Sequence, residues 1–271
     1  MLNISRSSFY YCHRSLKKQD EDALWLDWID RVLCEFPVHG TRQVTEQLKK
    51  KGLRINRKRI QRLMREHGLL QVVKRRWIKT TDSKHSWPRY PNLTREFQVT
   101  AINQLWVSDI TYIRIPTRFV YLAVILDAFS RKAIGYALGK TLETDLPLAA
   151  LRMALDSRPP SAGCIHHSDQ GVQYASENYT SLLKEHYIQI SMAAKGNPYE
   201  NAKAESFFKT LKREEVYLWE YRTWQDVITR IPFFIQIVYN RKRLHSALDY
   251  CSPEEFESSL NHQPAPCLSV S

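Results

Sequence analysis

Three β-favouring runs stand back to back in the middle of the chain: "NQLWVSDITYIRI" (103 to 115), "RFVYLAVILDAFS" (118 to 130) and "KAIGYALGK" (132 to 140). β-Branched and aromatic residues dominate them and only short breaks part them, so they read as three consecutive strands. The pattern then alternates. A helical segment at 144 to 157 is followed by a short strand into Asp169, a helix near 176 to 186, the strand "YIQISMA" (187 to 193) and a long helix from about Tyr199 to Trp219. Strands first and alternation afterwards describe a mixed α/β sheet. Further on, Pro232 interrupts the helical pattern "DVITRIPFFIQIVYN", where a kink or break is expected. Ser252, Pro253 and Glu255 form a capping box for a last short helix.

The first hundred residues have a different character. They hold 22 Lys/Arg and 10 Asp/Glu, whereas residues 101 to 271 hold 18 of each, so the whole net charge of +12 lies in the first part. A basic module joined to a neutral one suggests that the first grips a polyanion. Within it, Val44 and Leu48 recur at helical spacing and Gly52 closes that helix. In "LRINRKRIQRLMREHGLL" (53 to 70) Asn56 caps a second helix, Ile60, Leu63, Met64 and His67 line one face, and Gly68 ends it. Arg57, Lys58, Arg59, Arg62 and Arg65 occupy the other face, as a helix entering a DNA groove would display. Lys74, Arg75 and Arg76 in "VVKRRWIKTT" (72 to 81) extend the positive track. The resulting division is an N-terminal segment (1–20), a basic helix-turn-helix module (21–79), a Pro-containing linker (80–100), an α/β domain with C-terminal helices (101–260) and a tail (261–271).

Three acids carry the chemistry. Asp109 lies within the first strand, Asp169 immediately follows the fourth, and Glu205 sits one to two turns into the helix after "GNPYENAKAES". A carboxylate on a central strand, one at a neighbouring strand's end and one on a packing helix can converge, and hard oxygen ligands suit Mg²⁺ or Mn²⁺. Two such ions can stabilise the attacking and leaving oxygens of phosphoryl transfer. On a helix 205, 209 and 212 share a face, so Lys209 and Lys212 can reach DNA lying across the ions. His166 and His167 orient the strand end, contact DNA or simply pack. Asp127 reads as structural, with Ser130 and Arg131 in a turn. The five scattered cysteines form no C-x-x-C pair, which argues against a zinc knuckle and for a reducing compartment. No nucleophile elbow is present, and neither a membrane span nor a secretion signal.

At these residues the chain resembles the OrfB portion of insertion-sequence-three transposases, within the ribonuclease H-like integrases and transposases. The resemblance rests on "LWVSDITYI", "LDAFSRKAIGYAL", "HHSDQGVQY", "NPYENAKAESFFKTLKRE" and "YNRKRLHSALDYCSPEEFE" in that order, with "HGTRQVTEQLKKKG" and "INRKRIQRLMREHGLL" resembling the family's helix-turn-helix segment. It implies a ribonuclease H-like five-stranded sheet flanked by helices, behind a small all-α module. It implies an acid triad at Asp109, Asp169 and Glu205 that binds two divalent ions, with Lys212 as the family's basic residue seven positions beyond the glutamate. The implied activity is metal-dependent cleavage and strand transfer at insertion-sequence ends. The implied partners are terminal inverted repeats, target DNA, further copies of the chain on paired ends, and an upstream OrfA-type subunit or fusion. The implied location is the bacterial cytoplasm, at the nucleoid. Asp249 departs from the glycine often found there. A nuclease that only hydrolyses, and a non-catalytic DNA-binding regulator, are the alternatives.

Overall fold

A computed structural model describes residues 6–70, 90–193 and 201–261, with side chains from residue 20 of the first helix onward. The chain divides into two compact units, Met1–Trp77 and Ile78–Ser271.

The first unit is helical. α1 spans Arg6–Glu35, α2 Thr41–Lys50 and α3 Arg57–Glu66. Ile29 and Val32 of α1, Val44 and Leu48 of α2, and Ile60, Leu63 and Met64 of α3 are buried. These are the apolar positions at helical spacing, so burial of one stripe from each helix makes this core. Asn56 caps α3 by accepting from the Lys58 N–H at 2.8 Å. His67 is exposed and does not share the buried face of Ile60, Leu63 and Met64. The helix ends at Glu66, and His67 leaves helical geometry at φ −100°, ψ 12°, which turns its ring to solvent.

The second unit holds a five-stranded sheet in the order β3-β2-β1-β4-β5. β1 (Leu105–Ile115), β2 (Arg118–Asp127) and β3 (Ala133–Gly139) form an antiparallel meander. β4 (Ile165–Ser168) pairs parallel to β1, and β5 (Gln189–Met192) parallel to β4. The three consecutive runs become the meander because short breaks suit antiparallel pairing, and the α4 helix (Asp145–Ser157) makes the crossover that parallel pairing needs. α5 (Val172–Ala175) and α6 (Glu177–Glu185) connect β4 to β5.

Side chains alternate across β1. Leu105, Val107, Ile113 and Ile115 belong to one core cluster, with Phe207, Phe208 and Leu211 of the α7 helix (Ala202–Leu211). Trp106 and the half-buried Ile110 belong to the other, with α4 and α6. Two layers of helix on one sheet follow from that period of two.

The helix carrying α7 continues as a π-helical turn, Lys212–Val216. α8 (Trp224–Phe233) runs through Pro232 without ending and widens into a π-helical stretch, Phe234–Lys242. Of the kink or break expected at the proline, a break is absent, and the α-helical register gives way to a π-helical one directly after it. Proline deprives one carbonyl of its partner, but Ile231, Phe234, Ile235 and Tyr239 are all buried in the core and hold the segment helical while its register changes. α9 (Pro253–Asn261) opens on the expected capping box: the Glu255 carboxylate accepts from the Ser252 N–H at 2.8 Å and Ser252 Oγ from the Glu255 N–H at 3.3 Å. Asp249 adopts a left-handed conformation, φ 49°, where glycine is the easier residue and aspartate one of the tolerated ones.

The described part of the expected linker belongs to this unit. The Leu93 N–H donates to Ser191 Oγ at 2.9 Å, and Tyr90, Leu93 and Val99 pack against the two core clusters. No described helix is long and apolar enough to cross a membrane.

Candidate active site and nucleic-acid interface

β1 places the first acid. Asp109 is in the same alternation as Leu105, Val107 and Ile113, so it projects from the face that α7 covers. Its carboxylate accepts the N–H of Ile110 at 2.8 Å. β4 places the second. The parallel ladder pairs Val107 with His167, and two residues further along each chain stand Asp109 and Asp169. Asp109 on β1 and Asp169, the residue after β4, thus each stand two residues past a paired position on neighbouring strands. Asp169 is half-buried and accepts the Gly171 N–H at 3.0 Å.

α7 places the third. Glu205 lies exposed in its first turn, on a helix held over β1 by Phe207, Phe208 and Leu211. Burial raises the Asp109 carboxyl first, then the negative charges of Asp169 and Glu205, taking it to about 8; Lys212 and the Ile110 N–H act against them. Burial also raises Glu205, with Lys209 opposing, and lowers Lys212, with Asp109 opposing. The structure therefore brings Asp109, Asp169, Glu205 and Lys212 into one electrostatic neighbourhood. The Lys212 ammonium lies 4.9 Å from the centre of the Tyr112 ring, a cation–π contact that sequence reading misses because residues 100 apart share it.

Among the described residues, no three His, Cys, Asp or Glu side chains are close enough as they stand to hold an ion. The donor chemistry nonetheless fits a hard divalent cation. Burial first, and then the negative charges of Asp169 and Glu205, raise Asp109, and both would be relieved by a bound cation on these oxygen donors.

The histidines beside Asp169 do not face DNA. His166 is 1 % and His167 0 % exposed. His166 Nε2 pairs with the Tyr179 hydroxyl at 2.9 Å and His167 Nδ1 with Ser191 Oγ at 2.8 Å. They tie β4 to α6 and β5, and burial first, then His167, lowers His166 to about 3. Under β1, Ser108 Oγ donates to the Tyr174 hydroxyl at 2.9 Å. Asp127 is structural as expected: its carboxylate accepts from Asn103, Phe129 and Ser130 N–H groups at 2.6, 2.8 and 2.9 Å.

On α3 the basic residues divide. Arg57, Lys58 and Arg65 are exposed. Arg59 instead pairs with Asp22 at 2.7 Å and Glu21 at 3.2 Å, and Arg62 with Asp22 at 2.6 Å and Glu66 at 2.8 Å. Lys74, Arg75 and Arg76 lie outside the described residues.

Comparison with known proteins agrees with this architecture. Residues 99–198 and 186–253 each match an Integrase core domain, and residues 19–77 match an HTH-like domain. The chain is 39% identical over 246 residues to the transposase for insertion sequence element IS904 of Lactococcus lactis, covering 90% of this chain and 97% of that protein. It is 33% identical over 264 residues to the transposase InsF for insertion sequence IS3A of Escherichia coli K12, covering 95% and 92%. Among solved structures, a chain of the simian T-cell lymphotropic virus intasome, in complex with the PP2A regulatory subunit B56 gamma, superposes with a TM-score of 0.50 at 17% identity, covering 82% of this chain and 72% of that one. That likeness shows a shared fold: the sheet is of the ribonuclease H-like integrase type.

Proposed function

The chain belongs to the insertion-sequence-three family of transposases, and from that premise we propose that it cuts and joins DNA at insertion-sequence ends through Asp109, Asp169 and Glu205. The observation that supports the reading is the parallel register of β1 and β4, with Val107 opposite His167, two residues ahead of Asp109 and of Asp169. Bound by these carboxylates, two Mg²⁺ or Mn²⁺ ions would supply Lewis-acid stabilisation of the attacking and leaving oxygens. Asp109 is the fixed member, on the central strand; Asp169 closes the strand end; Glu205 approaches on a helix.

The residues then act on DNA in distinct ways. Lys209 and Lys212 share the face of Glu205, so they are set to hold the phosphodiester against the acids. Arg57 and Lys58, with Lys74, Arg75 and Arg76, hold the element end through phosphates, while Arg59 and Arg62 brace α3 against α1 and meet DNA only when those pairs open. The nucleophile is an oxygen brought by water for cleavage and by the DNA 3′-hydroxyl for joining, and no side chain becomes linked to DNA. The reading extends to two or more copies on paired inverted repeats, an OrfA-type subunit or fusion as partner, and action at the nucleoid.

Labelled element ends incubated with target DNA and Mg²⁺ test this. Joined product is expected, and Asp109→Asn, Asp169→Asn and Glu205→Gln are each expected to remove both cutting and joining while DNA binding persists. An end lacking its 3′-hydroxyl should give no joined product. Full activity in one acid variant removes that residue from the site; protein left covalently on DNA overturns the mechanism. Cutting without joining supports a nuclease, and binding alone a regulator.

A further inference from the structure

Asn201 is the residue before α7 and has the side chain most favoured for capping a helix, yet it makes no cap hydrogen bond. Its amide goes elsewhere. Nδ2 donates to the Ser108 carbonyl at 3.2 Å, beside Asp109 on β1. A carbonyl only accepts, so the atom facing it is the NH₂ group and the other is the acceptor Oδ1. That oxygen is buried, in a residue 7 % exposed, and has no hydrogen-bond partner among the described residues. Native folds rarely leave such an acceptor unsatisfied without a purpose.

The surroundings indicate what would satisfy it. Asn201 and Glu205 are four residues apart, so one turn of helix separates the amide from the third acid. One peptide unit separates its Nδ2 contact from the first. An acceptor there has no use for a DNA phosphate, which offers acceptors only; it needs a donor. A Mg²⁺ or Mn²⁺ ion that keeps several of its waters brings donors to that spot.

We propose that Asn201 is a positioning residue for the divalent-cation site, pinning the start of α7 to β1 through Nδ2 and offering Oδ1 to the hydrated cation held near Asp109 and Glu205. The inference rests on the cation reading given above and adds a fourth residue to it.

Mn²⁺ binding to the full chain without DNA, measured by titration calorimetry, tests it, with helix content followed by circular dichroism. Asn201→Leu keeps the shape and removes both polar atoms, and is expected to weaken Mn²⁺ binding about tenfold, the scale at which residues supporting metal ligands act. Asn201→Asp keeps an acceptor and adds charge, so it should bind Mn²⁺ several-fold more tightly than the native protein even as it loses the contact to Ser108. A residue that only braces the helix would change thermal stability and leave both affinities where they were. Native affinity in Asn201→Leu, or no tightening in Asn201→Asp, overturns the proposal, and the aspartate variant decides alone if the leucine variant does not fold. Absence of Mn²⁺ binding by the native protein, or undiminished binding by Asp109→Asn, overturns the cation reading itself and this inference with it.

Discussion

Asp109 and Asp127 stand on neighbouring antiparallel strands, and their surroundings differ. Asp127 is 1 % exposed, and three backbone N–H groups converge on it. Asp109 has one such donor, from its own neighbour, and two further carboxylates in its field. Asp127→Ala orphans three donors at about 1–3 kcal/mol each, so a loss of at least about 3 kcal/mol is expected in calorimetry, with or without metal. Asp109→Asn should do the opposite in EDTA, leaving the melting temperature unchanged or raised, because it removes a group that the metal-free fold must protonate as it buries it. A clear fall in that variant would contradict the picture of an unbalanced site. The acids are legible in the sequence because each sits in its own flanking block. Asn201 is not: at a helix start it looks like a cap, and only the fold sends its amide to Ser108.

At the scale of elements, α3 is legible in outline and not in its partners. The spacing of Ile60, Leu63 and Met64 and the cap at Asn56 follow from period and residue type. The pairing of Arg59 and Arg62 with Asp22 does not, since it links residues 37 and 40 positions apart. Asp22 is held below the usual carboxylate range by these arginines, in spite of partial burial. The two sets of basic residues should therefore behave differently. Replacing Arg57, Lys58 and Arg65 by Ala together is expected to lower the salt dependence of DNA binding by close to three counterions, a slope change of about 2.7 in log K against log salt. Replacing Arg59 and Arg62 should chiefly lower the melting temperature of the helical unit. Equal slope changes for both sets would return Arg59 and Arg62 to the DNA surface. Asp22→Asn, which removes the carboxylate that both arginines share and leaves them only Glu21 and Glu66, should strengthen binding at low salt and lose that gain as salt rises.

For the whole molecule, composition alone separates a basic first part from a neutral second, with the net charge of +12 confined to the first hundred residues. It does not give the strand order β3-β2-β1-β4-β5, because nothing local says that β4 returns beside β1; that placement depends on the crossover through α4 packing back onto the sheet. The same placement buries groups whose titration sets how stability varies with pH. Burial, then Arg243, lowers His245 to about 3, as burial lowers His166, while Asp109 is raised to about 8. Between pH 8 and the ordinary histidine range Asp109 keeps a proton that the unfolded chain has released, so through this group stability grows as pH falls, by about 1.4 kcal/mol per unit. Below about 6.5 the unfolded chain takes up two histidine protons that the folded state refuses, two against the one kept by Asp109, and the slope reverses. Glu257 and Asp22, both held low, add to the loss below about pH 4.5. The metal-free protein is therefore expected to be most stable near pH 6.5, with the melting temperature falling on either side. Saturating Mn²⁺ should flatten the alkaline side, since a bound cation lets Asp109 stay charged, and Asp109→Asn should flatten it without metal. A melting temperature that climbs steadily from pH 5 to 8 in EDTA would show that Asp109 is not protonated in the folded chain, and that burial and its neighbouring carboxylates do not raise it.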